Sequence, residues 1–116
     1  MACEAAPVGP DHEELLGFVK ALADATRLRL FVALREKERC VRDLVASEGL
    51  PQPLVSHHLR VLSGAGLIKA RRYDAFTFYV VDPDGMAAAL RTLGDLLDPA
   101  TLEPSARPGG NANCCR

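Results

Sequence analysis

The four cysteines of this 116-residue chain are the residues best suited to bind a soft metal ion or to be oxidised. Cys3 lies near the beginning, Cys40 in the middle, and Cys114 and Cys115 are adjacent near the end. The first residues lack a basic stretch followed by an apolar one, so we expect no secretory signal and no disulfide framework. The thiols are candidate metal ligands or a redox-active pair, although a lone Cys such as Cys40 is often only a small buried apolar residue.

A basic segment in the middle of the chain is the second chemical feature. Residues 27–72 contain ten Lys and Arg against four Asp and Glu, a net charge of +6, whereas the remaining residues carry −7. The total charge of −1 therefore conceals a cationic region that could bind DNA phosphates or simply form a solvated surface. No stretch approaches the ~18 consecutive apolar residues of a membrane span, so we expect a cytoplasmic protein without a membrane partner.

The first half of the chain is predicted to form three helices. Asp11 and Glu14 resemble a capping box at the start of the first helix, and Asp24 is a suitable N-cap for the second. A third, short helix follows Cys40 and ends at Gly49. Helical spacing places Leu15, Phe18, Val19 and Leu22 on one apolar face of the first helix. In the second helix it predicts that Leu28, Phe31, Val32 and Leu34 are buried.

The second half is predicted to contain a helix, a hairpin and a last helix. The fourth helix begins near Gln52 and its apolar stripe ends at Gly64. Two strands, 67–72 and 76–81, flank a turn and form a hairpin. Asp82 caps the last helix, whose apolar spacing fits the protein core and a subunit interface equally well.

The order of these elements predicts the fold class. A short helix, the turn 49–51 and a second helix form a helix-turn-helix, and a hairpin directly after it is a wing. The predicted fold is therefore mainly α with a small β-hairpin, a winged helix-turn-helix. Residues 1–10 are predicted to be flexible, residues 11–98 to form a DNA-binding and dimerisation domain, and residues 99–116 to form a flexible tail that contains cysteines.

Several segments resemble the ArsR/SmtB family of metal-responsive repressors. They are ALADATRLRL at 21–30, QPLVSHHLRVL at 52–62, and AGLI at 65–68, followed by Arg71 and Arg72. The resemblance extends over roughly residues 12–97, with the elements in the order of the family. It implies a homodimeric winged helix that represses its own operon and leaves the DNA when it binds a metal or metalloid.

Operator DNA is the expected macromolecular partner, with the fourth helix in the major groove. The candidate contacts are Gln52, Ser56, His57 and Arg60 on this helix, and Lys69, Arg71 and Arg72 on the wing. The helix residues are suited to base edges, with Arg60 also suited to phosphate, and the wing residues to phosphates or the minor groove. His57 and His58 diverge by ~100° on a helix, so we do not expect them to bind one metal ion together.

The resemblance also implies an inducer site, and the sequence departs from two sites of the family. The segment 83–98 contains no His, so a zinc site across the last helices is not expected. Arsenic-responsive members carry Cys-Val-Cys-Asp-Leu at the start of the helix-turn-helix, whereas residues 40–44 read CVRDL. Arg42 therefore replaces the second thiol, and the local arsenic site is incomplete.

Cys114 and Cys115 can supply the missing thiols, as C-terminal vicinal cysteines do in some family members. As(III) and Sb(III) bind three thiolates in a pyramid, so Cys40 would be the third ligand. Sixteen residues separate Asp98 from Cys114, and a flexible linker of that length reaches about 20–24 Å. The predicted inducer is As(III) or Sb(III), bound within one chain or between two, and no catalytic cofactor is expected.

Other functions remain open on the sequence alone. Cys3 would add a fourth thiolate for Cd(II) or Pb(II), as in the lead- and cadmium-sensing members. A disulfide between Cys40 and the tail would make the chain a redox-sensing repressor. A winged helix used only for protein interaction would lack salt-dependent DNA affinity. An enzyme is not expected, because the chain has no Cys-x-x-Cys motif and no Gly-rich phosphate loop.

Overall fold

The computed structural model describes residues 9–102, apart from the side chain of Asp11. The helices are α1 (Pro10–Leu22), α2 (Ala25–Glu36), α3 (Val41–Glu48), α4 (Gln52–Gly64) and α5 (Pro83–Leu97). The strands are β1 (Arg39–Cys40), β2 (Ile68–Tyr73) and β3 (Phe76–Val81). A short 3-10 helix, Pro99–Thr101, lies inside the segment 99–116 that was predicted to be a flexible tail, and residues 103–116 lie outside the described residues.

Local capping explains where several helices begin and end. Asp24 precedes α2, and its carboxylate accepts a hydrogen bond from the backbone N–H of Arg27 at 3.0 Å. Asp82 caps α5 in the same way, accepting from two N–H groups of the first turn. Gly49 ends α3 with a φ of 68°, a left-handed conformation that glycine adopts without strain. These three sequence predictions are confirmed.

The start of α1 differs from the predicted capping box. The helix begins at Pro10, Gly9 is the N-cap residue, and no side chain caps it. Asp11 therefore lies within the first turn rather than at the cap. Pro suits the first helical position because its missing N–H would have no intrahelical partner there, and this preference sets the start of the helix.

The predicted winged helix-turn-helix is confirmed. α3, the turn and α4 form the helix-turn-helix, and β2 pairs with β3 to form the wing hairpin. The sheet has a third strand that the sequence analysis missed, because β1 pairs antiparallel with β3 and gives the strand order β1-β3-β2. Two residues are too few to show an alternating pattern, so periodicity cannot predict such a strand. β1 connects the start of α3 to the wing.

The core is built from α2, α3 and α4, from Ala21 of α1, and from Leu67 and Ile68 where β2 begins. Its most buried side chains are Leu30, Leu34, Leu44, Val55, Leu59, Leu62, Leu67 and Ile68. The predicted stripe of α2 is partly wrong, because Leu28 and Val32 are 46% and 49% exposed. The inward face of α2 instead holds Arg27, Leu30 and Leu34 at helical spacing. The buried side chains Leu30, Phe31, Ala33 and Leu34 define this inward face, and Arg27 extends it to its hydrogen-bond partners at the end of α1 and in α4.

Several apolar side chains on α5 and α1 are not covered by the other residues of the described range 9–102. Leu90 is 68% exposed, and Leu96 and Leu97 are exposed as well. Leu16 and Val19 of α1 are also exposed, although Val19 belongs to the apolar face predicted for the first helix. A cluster of exposed apolar residues on two helices that contact each other is typical of a subunit interface. Of the helices in residues 9–102, none has the length and apolar character needed to cross a membrane.

Candidate DNA interface and inducer site

The exposed face of α4 carries the residues predicted to read bases. Gln52, Ser56 and Arg60 follow one another at intervals of four residues, which places them on one face of the helix. Gln52, Arg60 and the neighbouring His57 are exposed, and Ser56 is half-buried. The opposite face is fixed in the core by buried Val and Leu side chains. α4 therefore presents a polar surface on a rigidly packed helix.

His58 occupies a different environment from His57, although the two are adjacent. The ring of His58 is buried among the core residues of α4, whereas His57 is exposed. The two ring centroids are 5.4 Å apart and the rings are tilted by 56°. His58 continues the helical spacing of Val55, Leu59 and Leu62, so the sequence did contain the signal for its burial.

Arg27 connects His58 to the end of α1. Its Nη1 lies 3.3 Å from Nδ1 of His58, and its Nε donates to the carbonyl oxygen of Ala21 at 2.8 Å. A guanidinium can only donate, so Nδ1 must accept and carries no proton. Burial lowers the pKa of His58 below its ordinary value of 6.5, opposed by the charge of Asp24 and reinforced by Arg27 and His57. A neutral His58 therefore helps to hold α4 in place.

The three predicted cations of the wing are exposed, but they do not share one face of the hairpin. Lys69 and Arg71 lie opposite Val80 and Phe78, whereas Arg72 lies opposite Thr77 on the other face. The face that contains Arg72 also contains the residues that pack on the core. We call the other one the outer face, and its residues are Lys69, Arg71, Tyr73, Phe76, Phe78 and Val80. Arg71 Nη1 lies 3.9 Å from a carboxylate oxygen of Glu38.

Cys40 lies on the same outer face of the sheet. It pairs with Phe78, which pairs with Arg71, so the three residues form one row across the strands. Cys40 is half-buried and is also the N-cap residue of α3. From the sequence alone, Cys40 is expected only at the start of the helix-turn-helix. The structure adds that this residue lies at the junction of the helix-turn-helix and the wing.

The rest of the predicted thiolate site lies outside the described residues. These missing ligands are Cys114 and Cys115, together with the alternative ligand Cys3. Within residues 9–102 there is no group of three or more His, Cys, Asp and Glu side chains that could hold a metal ion. In the described part of the chain, Cys40 is thus the one member of the predicted ligand set.

Comparison with known proteins identifies the family. The family model described as "Bacterial regulatory protein, arsR family" matches residues 24–70, from the cap of α2 into β2. The arsenic resistance transcriptional regulator ArsR1 of Pseudomonas putida is 38% identical over 87 residues, which cover 72% of this chain and 68% of that protein. An uncharacterized HTH-type transcriptional regulator of Methanocaldococcus jannaschii is 33% identical over 86 residues, 73% of this chain and 97% of that protein. The chain belongs to the ArsR family.

One more sequence relative and two solved structures are similar to this ArsR-family chain. The HTH-type transcriptional repressor SmtB of Mycobacterium tuberculosis is 40% identical over 80 residues, which cover 66% of this chain but only 59% of that repressor. An ArsR-like transcriptional regulator from Rhodococcus sp. RHA1 superposes with a TM-score of 0.69 at 21% identity, covering 73% of this chain and 80% of that one. A possible transcriptional regulator for arsenical resistance has a TM-score of 0.61 at 38% identity, with 69% and 82% coverage.

Proposed function

We propose that this chain is a transcriptional repressor that binds operator DNA as a dimer and leaves it when As(III) or Sb(III) binds cysteine thiolates. The observation that carries this proposal is the position of Cys40, which belongs to the wing sheet and caps the first helix of the helix-turn-helix. A ligand bound to this thiol would act on both elements that contact DNA. The family membership and the arsenic-related names of two similar proteins support the same function.

In the proposed complex, α4 lies in the major groove and reads base edges. Gln52 can pair with adenine through two hydrogen bonds, and Arg60 can pair with guanine in the same way or reach a phosphate. Ser56 and His57 lie beside them and can donate to or accept from neighbouring groups. The three wing cations contact phosphates beside the groove, in keeping with the net charge of +6 on residues 27–72.

Two copies of the chain are proposed to associate through α1 and α5. Full burial of the exposed leucines of α5 in an interface would stabilise the dimer by about 1.5–3 kcal/mol for each side chain. A twofold dimer would place the two α4 helices in successive turns of the major groove, ~34–36 Å apart. The operator is therefore expected to contain two related half-sites.

The proposed inducer site combines Cys40 with Cys114 and Cys115. Three thiolates suit the pyramidal coordination of As(III) and Sb(III), and the ligands must lose their protons on binding. Ligation would bring residues near the chain end against the outer face of the wing, beside Phe78 and Arg71. There they would compete with the contact of Arg71 to DNA. The coupling is reciprocal, so DNA must weaken inducer binding by the same factor.

A gel-shift titration tests the proposal. The full chain is first bound to a duplex that the wild-type protein enriches from a random-sequence pool, and As(III), Sb(III), Cd(II), Pb(II) or peroxide is then added. We expect As(III) and Sb(III) to release the wild type and the matched control Cys3→Ser. The variants Cys40→Ser and Cys114→Ser/Cys115→Ser should stay bound at the same concentrations.

The other outcomes either indicate a different inducer chemistry or refute a part of the proposal. Release by Cd(II) or Pb(II) that is lost in Cys3→Ser would indicate a four-thiolate site instead. Release by peroxide alone would indicate a redox-sensing repressor. Unchanged As(III) response in the Cys40 and tail variants would remove the proposed site. A wild-type protein that retains no duplex at low salt would refute the DNA-binding function itself.

A further inference from the structure

The tip of the wing combines a tight loop with two exposed aromatic rings. β2 and β3 remain paired as far as Tyr73 and Phe76, and Asp74 and Ala75 complete the loop. Asp74 has a φ of 55°, which Asp and Asn tolerate better than most residues. Phe76 is 60% exposed and Tyr73 is 44% exposed. Residues directly opposite each other share a face, so both belong to the outer face of the hairpin.

The side chain of Tyr73 at the wing tip is held in place by contacts with its neighbours. Its hydroxyl accepts a hydrogen bond from Arg71 at 3.2 Å. Its ring meets Phe78 edge to face, with centroids 5.5 Å apart and planes at 66°. Phe78 is half-buried, whereas Phe76 lies two residues nearer the tip and is mainly in solvent. Phe76 therefore offers apolar surface that no core packing requires and that a partner could bury.

The charges around the tip indicate which partner fits. Lys69 and Arg71 share the outer face, and Arg72 is adjacent to Tyr73 in β2. A partner that buries an aromatic ring among cations must offer apolar surface flanked by negative charge. The DNA minor groove does so, because sugars and base edges line it, phosphates form its rims, and proteins insert Phe or Leu there between base steps. The hairpin also lies beside α4, which contacts β2.

We propose that Tyr73 and Phe76 form an apolar wedge that enters the minor groove next to the bases read by α4. This inference rests on the DNA-binding function proposed above. Phe76 packs against sugars and base edges, while Arg71 and Arg72 contact phosphates on the rims. A wedge must open a base step, so the wing adds a preference for easily deformed steps such as TA at positions that α4 does not contact.

Substitution of Phe76 is the main test. In binding assays with the full chain and the enriched duplex, Phe76→Ala is expected to bind about tenfold more weakly, as in losses of single aromatic contacts to bases. Phe76→Leu should keep most of the affinity, because Leu also serves as a wedge. Since Phe76 is largely exposed, the circular dichroism and Tm of both variants should match those of the wild type.

Asp74 provides an independent test through charge. If the tip enters the groove, the carboxylate of Asp74 lies near phosphates and weakens binding. Asp74→Asn removes this charge and keeps a residue that tolerates a positive φ, so we expect binding to become about two- to fivefold tighter at low salt. The matched control Glu36→Gln removes one charge from the exposed last turn of α2, outside the proposed DNA contacts and the proposed subunit interface, and should change the affinity much less.

Base analogues test whether the wing contacts the minor groove. They are placed at the base pairs that footprinting shows to lie under the wing. Replacing an A·T pair there with G·C adds the guanine amino group to the minor groove, whereas inosine·cytosine lacks that group. Wild-type binding should weaken with G·C and recover with inosine·cytosine. Phe76→Ala should show a smaller difference between the two duplexes.

The outcomes separate the wedge from the repressor function. If substitution of Arg60 weakens DNA binding but Phe76→Ala and Asp74→Asn bind as tightly as the wild type, the wedge is overturned. DNA reading by α4 is then left intact. Equal weakening by G·C and inosine·cytosine would assign those positions to the major groove and also overturn it. Failure of the wild type to bind any duplex would overturn both proposals.

Discussion

α4 and the wing hairpin are both proposed to contact DNA, yet they are attached to the molecule in different ways. α4 has one full face in the core, and Arg27 holds its buried His58. The hairpin is anchored at its base by Ile68, Tyr79 and Val81, while its tip is exposed. The position of α4 therefore depends on packing, and that of the wing tip on backbone pairing. Substitutions on the inner side of α4 should change stability, and those at the wing tip should change only binding.

The largest difference is expected between Leu59→Ala and Phe76→Ala. Leu59 is almost completely buried in the core, so its truncation should lower the free energy of unfolding by about 2–5 kcal/mol. Phe76→Ala should change it by no more than about 0.5 kcal/mol, because this ring is mostly in solvent. Urea denaturation of both variants measures the two values. A similar loss in both would contradict the contrast between α4 and the wing.

A smaller contrast is expected between two arginines of α2. Arg27 donates to the carbonyl of Ala21 and to His58, so Arg27→Ala should lower the free energy of unfolding by about 1.5–3 kcal/mol. Arg29 forms an exposed ion pair with Glu48 at 2.9 Å, and Arg29→Ala should cost only about 0–1 kcal/mol. Hydrogen exchange in α4 should increase in the first variant alone. Equal exchange in both would show that Arg27 does not anchor this helix.

DNA binding should divide the two regions in another way. Arg60→Ala on α4 should cost about 1–3 kcal/mol of binding free energy and relax specificity at one base position. Arg71→Ala on the wing should weaken binding to all sequences alike and reduce the salt slope by about 1, as loss of a phosphate contact does. Affinities measured over a range of salt concentrations for matched and mutated duplexes separate these patterns. An altered base preference in Arg71→Ala would place this residue in direct readout.

The sequence predicted α4 better than the wing for a physical reason. A helix of 13 residues repeats its apolar spacing several times, so the face with Gln52, Ser56 and Arg60 follows from the pattern. β1 has only two residues, and its pairing with β3 depends on the whole fold. Without β1, the row that joins Cys40 to Phe78 and Arg71 could not be foreseen. The spacing of apolar residues also does not reveal that a polar residue, Arg27, belongs to the inner face of α2.

His58 offers the finest test of how α4 is anchored. Burial lowers the pKa of His58 in the folded protein below the ordinary histidine value of 6.5. Above pH 6.5 the ring is therefore neutral in both the folded and the unfolded chain, and its stabilising contribution is complete. As the pH falls below 6.5, the unfolded chain takes up the proton first, and this contribution is lost as the pH falls through the lower pKa of the folded protein. A proton on Nδ1 would also remove the acceptor for Arg27.

Urea denaturation as a function of pH measures this contribution. His58→Gln keeps an oxygen acceptor for Arg27 but does not titrate, so its free energy of unfolding should fall less steeply than that of the wild type below pH 6.5. The matched variant His57→Gln should retain the wild-type slope, because His57 is exposed and makes no part of the contact with Arg27. The opposite result would be a flatter pH dependence of the free energy of unfolding in His57→Gln and a wild-type dependence in His58→Gln. It would show that the neutral ring of His58 does not hold α4 against α2.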